Sequence, residues 1–134
     1  MKVFLDTNVL VSAAATRSLC ADVLREVLIS HQLVASTPLF SELDNILKEK
    51  LRLPQELITA FVEILQQDTY LSSPSDSPDV DIQDKDDMMI LSSALNGKTD
   101  MFITGDKELL ELHRINDMDI ISPKMFWERL KVRA

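Results

Sequence analysis

Four acids stand where runs of apolar residues begin or end in this 134-residue chain. Asp6 follows Val3-Phe4-Leu5, Glu42 sits within LFSELDNIL, Asp87 heads DMMILSSAL, and Asp106 lies in MFITGDKELL. Carboxylate oxygens gathered at one place suit hard divalent cations such as Mg2+ or Mn2+. Without a cation or protons, such a group repels itself. With one or two ions it can hold a phosphodiester and assist attack of water on phosphorus. Asp86 adds a candidate oxygen beside Asp87. Thr104 offers a small hydroxyl two residues before Asp106, and Asn8 an amide for a carboxylate ligand or a substrate phosphate. Lys107 is a candidate contact to a neighbouring phosphate.

Each residue also has a plainer role open to it. Asp6 could be a turn acid held by backbone donors, Glu42 an ordinary boundary residue, and Asp86, Asp87 or Asp106 a helix cap. Asn8 suits a turn, and Lys107 a solvated helix surface. What favours a common site is the placement of all four acids at predicted ends of elements.

Those elements can be read from periodicity. Val3–Leu5 reads as a short buried strand ending at Asp6. Residues 19–29 carry one broad apolar helical stripe, and 32–36 form a second strand. Ser36 or Thr37 can cap a helix that runs to about residue 50, with Pro38 in its permissive first turn. Pro54 opens an amphipathic helix with Leu57, Ile58, Phe61, Val62 and Leu65 facing inward. Residues 69–72 suit a third strand, and SSPSDSPD, residues 72–79, a loop. Helical spacing returns from Asp87 to Leu95 and stops at Asn96-Gly97. MFIT, residues 101–104, is the clearest late strand, followed by a short helix over 106–112. Ile120-Ile121 marks a last strand, and Pro123 opens a terminal helix with Phe126, Trp127 and Leu130. Strands separated by helices predict a three-layer α/β/α sandwich around a mostly parallel sheet, as one domain over residues 1–134. Ligands of such sheets collect beyond the carboxyl ends of the strands, where Asp6 and Asp106 fall.

Composition bounds the reading. The formal net charge is −8, which argues against a broad basic nucleic-acid surface. The acid is uneven, however: residues 76–87, DSPDVDIQDKDD, hold six Asp against one Lys. Cys20 is the only cysteine, so an intrachain disulfide is excluded and a reducing compartment fits. Lys2 before apolar residues resembles a secretion signal only superficially, because Asp6 and Asn8 interrupt the apolar run. No run approaches the ~20 apolar residues that span a bilayer. A soluble, cytoplasmic protein without membrane contact is expected. Phe61 and Trp127 are expected to pack in the core rather than against a second subunit.

Taken in order, LDTNVLVSA, SELDNIL, DKDDMMILSSAL and FITGDKELL resemble the motif series of PIN-domain proteins, over about residues 2–112. The chain is most similar to the PIN proteins described as toxin components of toxin–antitoxin systems. The resemblance implies a metal-dependent endoribonuclease using one or two Mg2+ or Mn2+ ions and leaving a 5′-phosphate and a 3′-hydroxyl. Its acidic positions match Asp6, Glu42, Asp87 and Asp106, with Asp86 adjacent, and its supporting polar positions match Asn8 and Thr104. Many relatives carry Asp-Pro-Asp-Asp where this chain has Asp84-Lys85-Asp86-Asp87. The implied partners are an RNA substrate, a cognate antitoxin and a second copy in a homodimer. A noncatalytic PIN-like scaffold for RNA or protein is the alternative. A phosphoacceptor receiver domain fits poorly, because Asp68 before Thr69-Tyr70-Leu71 does not sit as an acceptor should.

Overall fold

The computed structural model describes residues 1–74, 80, 82 and 84–133. Much of the expected loop over 72–79, and part of the acidic run after it, lies outside the described residues. Six strands form one sheet: β1 (Lys2–Leu5), β2 (Gln32–Ser36), β3 (Tyr70–Ser72), β4 (Met101–Ile103), β5 (Arg114–Ile115) and β6 (Met118–Ile121). Their order is β3-β2-β1-β4-β6-β5. All neighbours are parallel except β5 and β6, which pair as an antiparallel edge. Seven α-helices accompany them among the described residues: α1 (Thr7–Ala15), α2 (Leu19–Ser30), α3 (Thr37–Asn45), α4 (Gln55–Gln66), α5 (Lys85–Asn96), α6 (Lys107–Leu110) and α7 (Pro123–Arg133). The mostly parallel α/β architecture is the predicted one.

Central strands buried on both faces need continuous apolar runs rather than alternation. Val3-Phe4-Leu5 and Met101-Phe102-Ile103 meet that need, and every one of these side chains is buried. Phe4 pairs in register with Phe102. Their rings stack with centroids 5.3 Å apart and planes 9° from parallel. This pair ties the two strands whose ends carry Asp6 and Asp106, so core packing sets the spacing of two site residues. The backbone continues the link, as the Asp6 N–H donates to the Ile103 carbonyl at 2.9 Å.

Several local expectations are corrected. A helix begins directly at Thr7, where no element was predicted; its Val9 and Leu10 are buried, and Asp6 caps it. The helix after Ser36 ends at Asn45, and Ile46–Lys50 continues as a π-helical turn closed by the Leu51 N–H on the Ile46 carbonyl. On α4, Ile58 and Leu65 are buried, and Phe61 and Val62 pack partly against the core. Leu57, expected inward, is 59% exposed. The core here receives a narrower stripe than the composition of the helix offers. Strand β5 was missed because two residues of pairing leave no periodicity to read.

Gly97 ends α5 as expected, but by a different device. Its φ is −78°, and the left-handed residue is Lys98 at 56°. What requires glycine is close approach: a Cβ at residue 97 would lie 2.8 Å from Val34 Cγ1 and 3.1 Å from Ser72 Cβ. This contact seats the end of α5 against β2 and β3. Phe126 of α7 is buried, and Leu130 and Trp127 are partly buried against the core, as expected. Cys20 is a free thiol, half-buried against the same core.

Candidate functional site

Asp6 leaves β1 in extended backbone (φ −62°, ψ 157°) and caps α1. It is only 4% exposed. One carboxylate oxygen accepts the Thr7 N–H at 2.8 Å. The other accepts the Thr104 hydroxyl at 2.7 Å and the Asn8 amide at 3.3 Å. Thr104, fully buried past the end of β4, also accepts the Asp106 N–H at 3.0 Å. Asn8 Oδ1 accepts the Gly105 N–H at 3.2 Å. The exits of two adjacent strands are therefore laced together by Asn8 and Thr104. Both supporting residues belong to the Asp6 shell, and the Asn8 bond to a carboxylate is one of its two expected roles.

Asp106 accepts the Glu108 N–H at 2.9 Å and caps α6. The plainer role considered for it is thus real, and it leaves the second carboxylate oxygen without a protein donor among the described residues. The cap of α5 is neither Asp86 nor Asp87 but Asp84, whose carboxylate accepts the N–H groups of both. This frees Asp86 and Asp87, in the first turn, from capping. The signal was present in Asp84-Lys85-Asp86-Asp87, an acid three residues ahead of another before an apolar helix. Lys85 occupies the first helical position, where proline is equally at home because that N–H needs no helical acceptor. A lysine at this position therefore keeps the helix start intact.

Charge at the site is uncompensated. Burial pushes the Asp6 carboxyl up, opposed by the Thr104 and Thr7 bonds, with the Asp106 charge raising it further. Burial also raises Glu42; the Thr7 hydroxyl pulls the other way, and Asp6, Asp86 and Asp84 add to the rise. Asp87 is pushed from 3.8 up to about 7, first by burial and then by Asp84, Asp6, Asp106 and Glu42. The four expected acids are thus within electrostatic reach of one another. The ion pairs among the described residues join Arg25 to Asp22, Lys48 to Asp44, Arg114 to Asp117 and Asp119, and Arg129 to Asp119. None reaches Asp6, Glu42, Asp87 or Asp106. Lys107 is exposed at the head of α6, beside Asp106.

A residue that sequence reasoning passed over is Thr7. It is 1% exposed, and its hydroxyl makes no formed hydrogen bond among the described residues. The hydroxyl nevertheless lies near enough to Glu42 to influence its ionisation. Its position between Asp6 and Asn8 was the available signal.

An all-oxygen donor set with surplus negative charge fits a hard divalent cation. As placed, however, no three His, Cys, Asp or Glu side chains among the described residues stand close enough to hold an ion together. Glu42 and Asp86 also border a groove of about 440 Å3 between α3 and α5.

A family profile described as PIN domain matches residues 2–108 of the chain. Among solved structures, the fold is similar to a chain of VapBC2 from Rickettsia felis bound to a DNA fragment from its promoter. The match has a TM-score of 0.62 at 16% identity, covering 91% of this chain and 98% of that one. No curated protein sequence matches.

Proposed function

This chain belongs to the PIN-domain family, and from that premise we propose that it is a divalent-cation-dependent endoribonuclease, the toxin of a toxin–antitoxin pair. The observation that carries the reading is the group of mutually coupled carboxylates from two strand exits and helices α3 and α5, with Asp87 raised to about 7 and no ion pair to any of the four acids among the described residues. Such a site gains most from a bound cation. The VapBC2 likeness, which by itself concerns the fold, is consistent with the toxin reading.

Asp6, Glu42, Asp87 and Asp106 would hold one or two Mg2+ or Mn2+ ions, with Asp86 at the periphery. A bound cation would supply charge neutralisation and Lewis acidity for phosphodiester hydrolysis. Thr104 and Asn8 fix the Asp6 carboxylate, so that this ligand needs no reordering when the site fills. Lys107, exposed beside Asp106, would meet a phosphate neighbouring the scissile one. An antitoxin that masks the site would present Arg or Lys to the acids, and a second copy of the chain would complete a homodimer.

The test is cleavage of a broad RNA panel by partner-free protein with Mg2+ or Mn2+, alongside Asp6→Asn and EDTA controls. Cleavage that needs the cation and falls at least about a hundredfold in the variant supports the reading. Cleavage persisting in Asp6→Asn, or none on any RNA, overturns it. The noncatalytic scaffold has one observation in its favour, the lack of three acids already gathered around one point among the described residues. RNA binding without cleavage, in protein titrated with the cation, would select it.

A further inference from the structure

The groove between α3 and α5 adjoins the acids but is built differently from them. Its volume of about 440 Å3 lies within the roughly 300–1,000 Å3 of small-molecule sites. Thr37, Ser41 and Asn45 line it, spaced four residues apart and therefore along one face of α3. None of their side chains makes a hydrogen bond among the described residues, and all three are exposed. Across from them on α5 stand Met89, 46% exposed, and the buried Ile90, while Ile46, directly after Asn45 at the start of the π-helical turn, adds apolar surface at the end of α3.

This lining selects among occupants. Among the described residues no Lys or Arg borders the groove, and Glu42 and Asp86 line it, so a phosphate is repelled. A wholly apolar side chain would bury Ser41 and Asn45 with nothing to bond, which costs binding. A flat, neutral ring with a polar edge meets both walls at once. We infer that this groove is a subsite for one unpaired base of single-stranded RNA, its face against Met89 and Ile46 and its edge against Ser41 and Asn45. The inference rests on the RNA-cleavage reading and deepens it. Glu42 is shared by the groove and the acidic site, so a base seated here belongs to a nucleotide next to the scissile phosphate. Asn45 carries both a donor and an acceptor and would set which base is preferred.

The test uses short fluorescein-labelled RNA homopolymers of A, C, G and U, plus an abasic strand of equal length, in buffer with Mg2+. They are titrated into Asp6→Asn protein, alone and combined with Met89→Ala or Asn45→Ala. Base stacking predicts that the preferred homopolymer binds about tenfold or more tighter than the abasic strand. Met89→Ala should weaken all base-containing strands several-fold and leave the abasic strand unchanged, while Asn45→Ala should level the differences among the four. Both residues are exposed, and thermal melts check that the variants remain folded. Equal binding of abasic and base-containing strands, unchanged ranking in both variants, or no RNA binding at all would overturn the inference and leave the groove to a protein partner. Wild-type cleavage separates the two proposals. An inactive enzyme with the expected ranking removes the nuclease and keeps the subsite, whereas an active enzyme indifferent to both variants does the reverse.

Discussion

Replacing Asp87 by asparagine should make the cation-free protein more stable while weakening its site. The folded protein raises this carboxyl from 3.8 to about 7. An acid raised by folding favours the native state while it is protonated, and that advantage is lost as pH climbs from about 3.8 through 7. A rise of roughly three pH units corresponds to about 4 kcal/mol if the charge were fully buried and unscreened. Asp87 is only half-buried, and solvent screening reduces the figure to about 1–2 kcal/mol. Its place in the first turn of α5 gives the charge back about 0.3–1 kcal/mol through the helix dipole, so the net keeps its sign but shrinks. For a chain of this length the gain reads as a rise in Tm of about 2–6 °C. Thermal unfolding followed by circular dichroism in EDTA should show this rise for Asp87→Asn at pH 8. At pH 5 the native carboxyl is neutral but the unfolded one is ionised, so about a third of the difference should remain, and it should vanish only below about pH 4. Saturating Mg2+ should close the gap at pH 8, because wild type gains more from the ion. A variant no more stable than wild type at pH 8, or equally stabilised at both pH values, would refute the claim that uncompensated charge strains this site.

Three further outcomes follow from named contacts. Thr104→Val removes a 2.7 Å donor from a buried carboxylate and should cost about 2–3 kcal/mol in urea unfolding, with weaker divalent-ion binding by calorimetry. A loss below about 0.5 kcal/mol would mean that Thr104 does not hold Asp6. Gly97→Ala forces a Cβ to within 2.8 Å of Val34 Cγ1 and should cost about 1–3 kcal/mol, visible as a lower urea midpoint. Divalent-ion affinity should fall by up to about tenfold per pH unit below pH 7, where Asp87 must release its proton to bind, and should level off above it. A pH-independent affinity in calorimetry would exclude Asp87 as a ligand.

The elements simplest in pattern were the most legible. Val3–Leu5 and residues 101–104 announce buried parallel strands because neither face meets water, and the stripe over 19–29 announces a helix because its apolar spacing is 3.6-like. Less was legible where one residue serves two purposes. Asp6 ends a strand and caps a helix in the same position, which hid α1. Leu57 has the right periodicity for the core, yet it is left on the solvent side of α4. Glycine at residue 97 reads as a helix stop, whereas the constraint comes from Val34 and Ser72, distant in sequence.

From its residues alone the chain determined the alternation of strands and helices, the family-like order of its motifs, and which acids fall at strand exits. These are local properties, fixed by apolar spacing and by turn chemistry over a few residues. Only the tertiary structure decided which carboxylates share a field, that Asp84 rather than Asp86 or Asp87 caps α5, and that a polar-edged groove opens beside Glu42. Burial and charge coupling depend on neighbours far apart in the chain, and a one-dimensional pattern carries no distances between them.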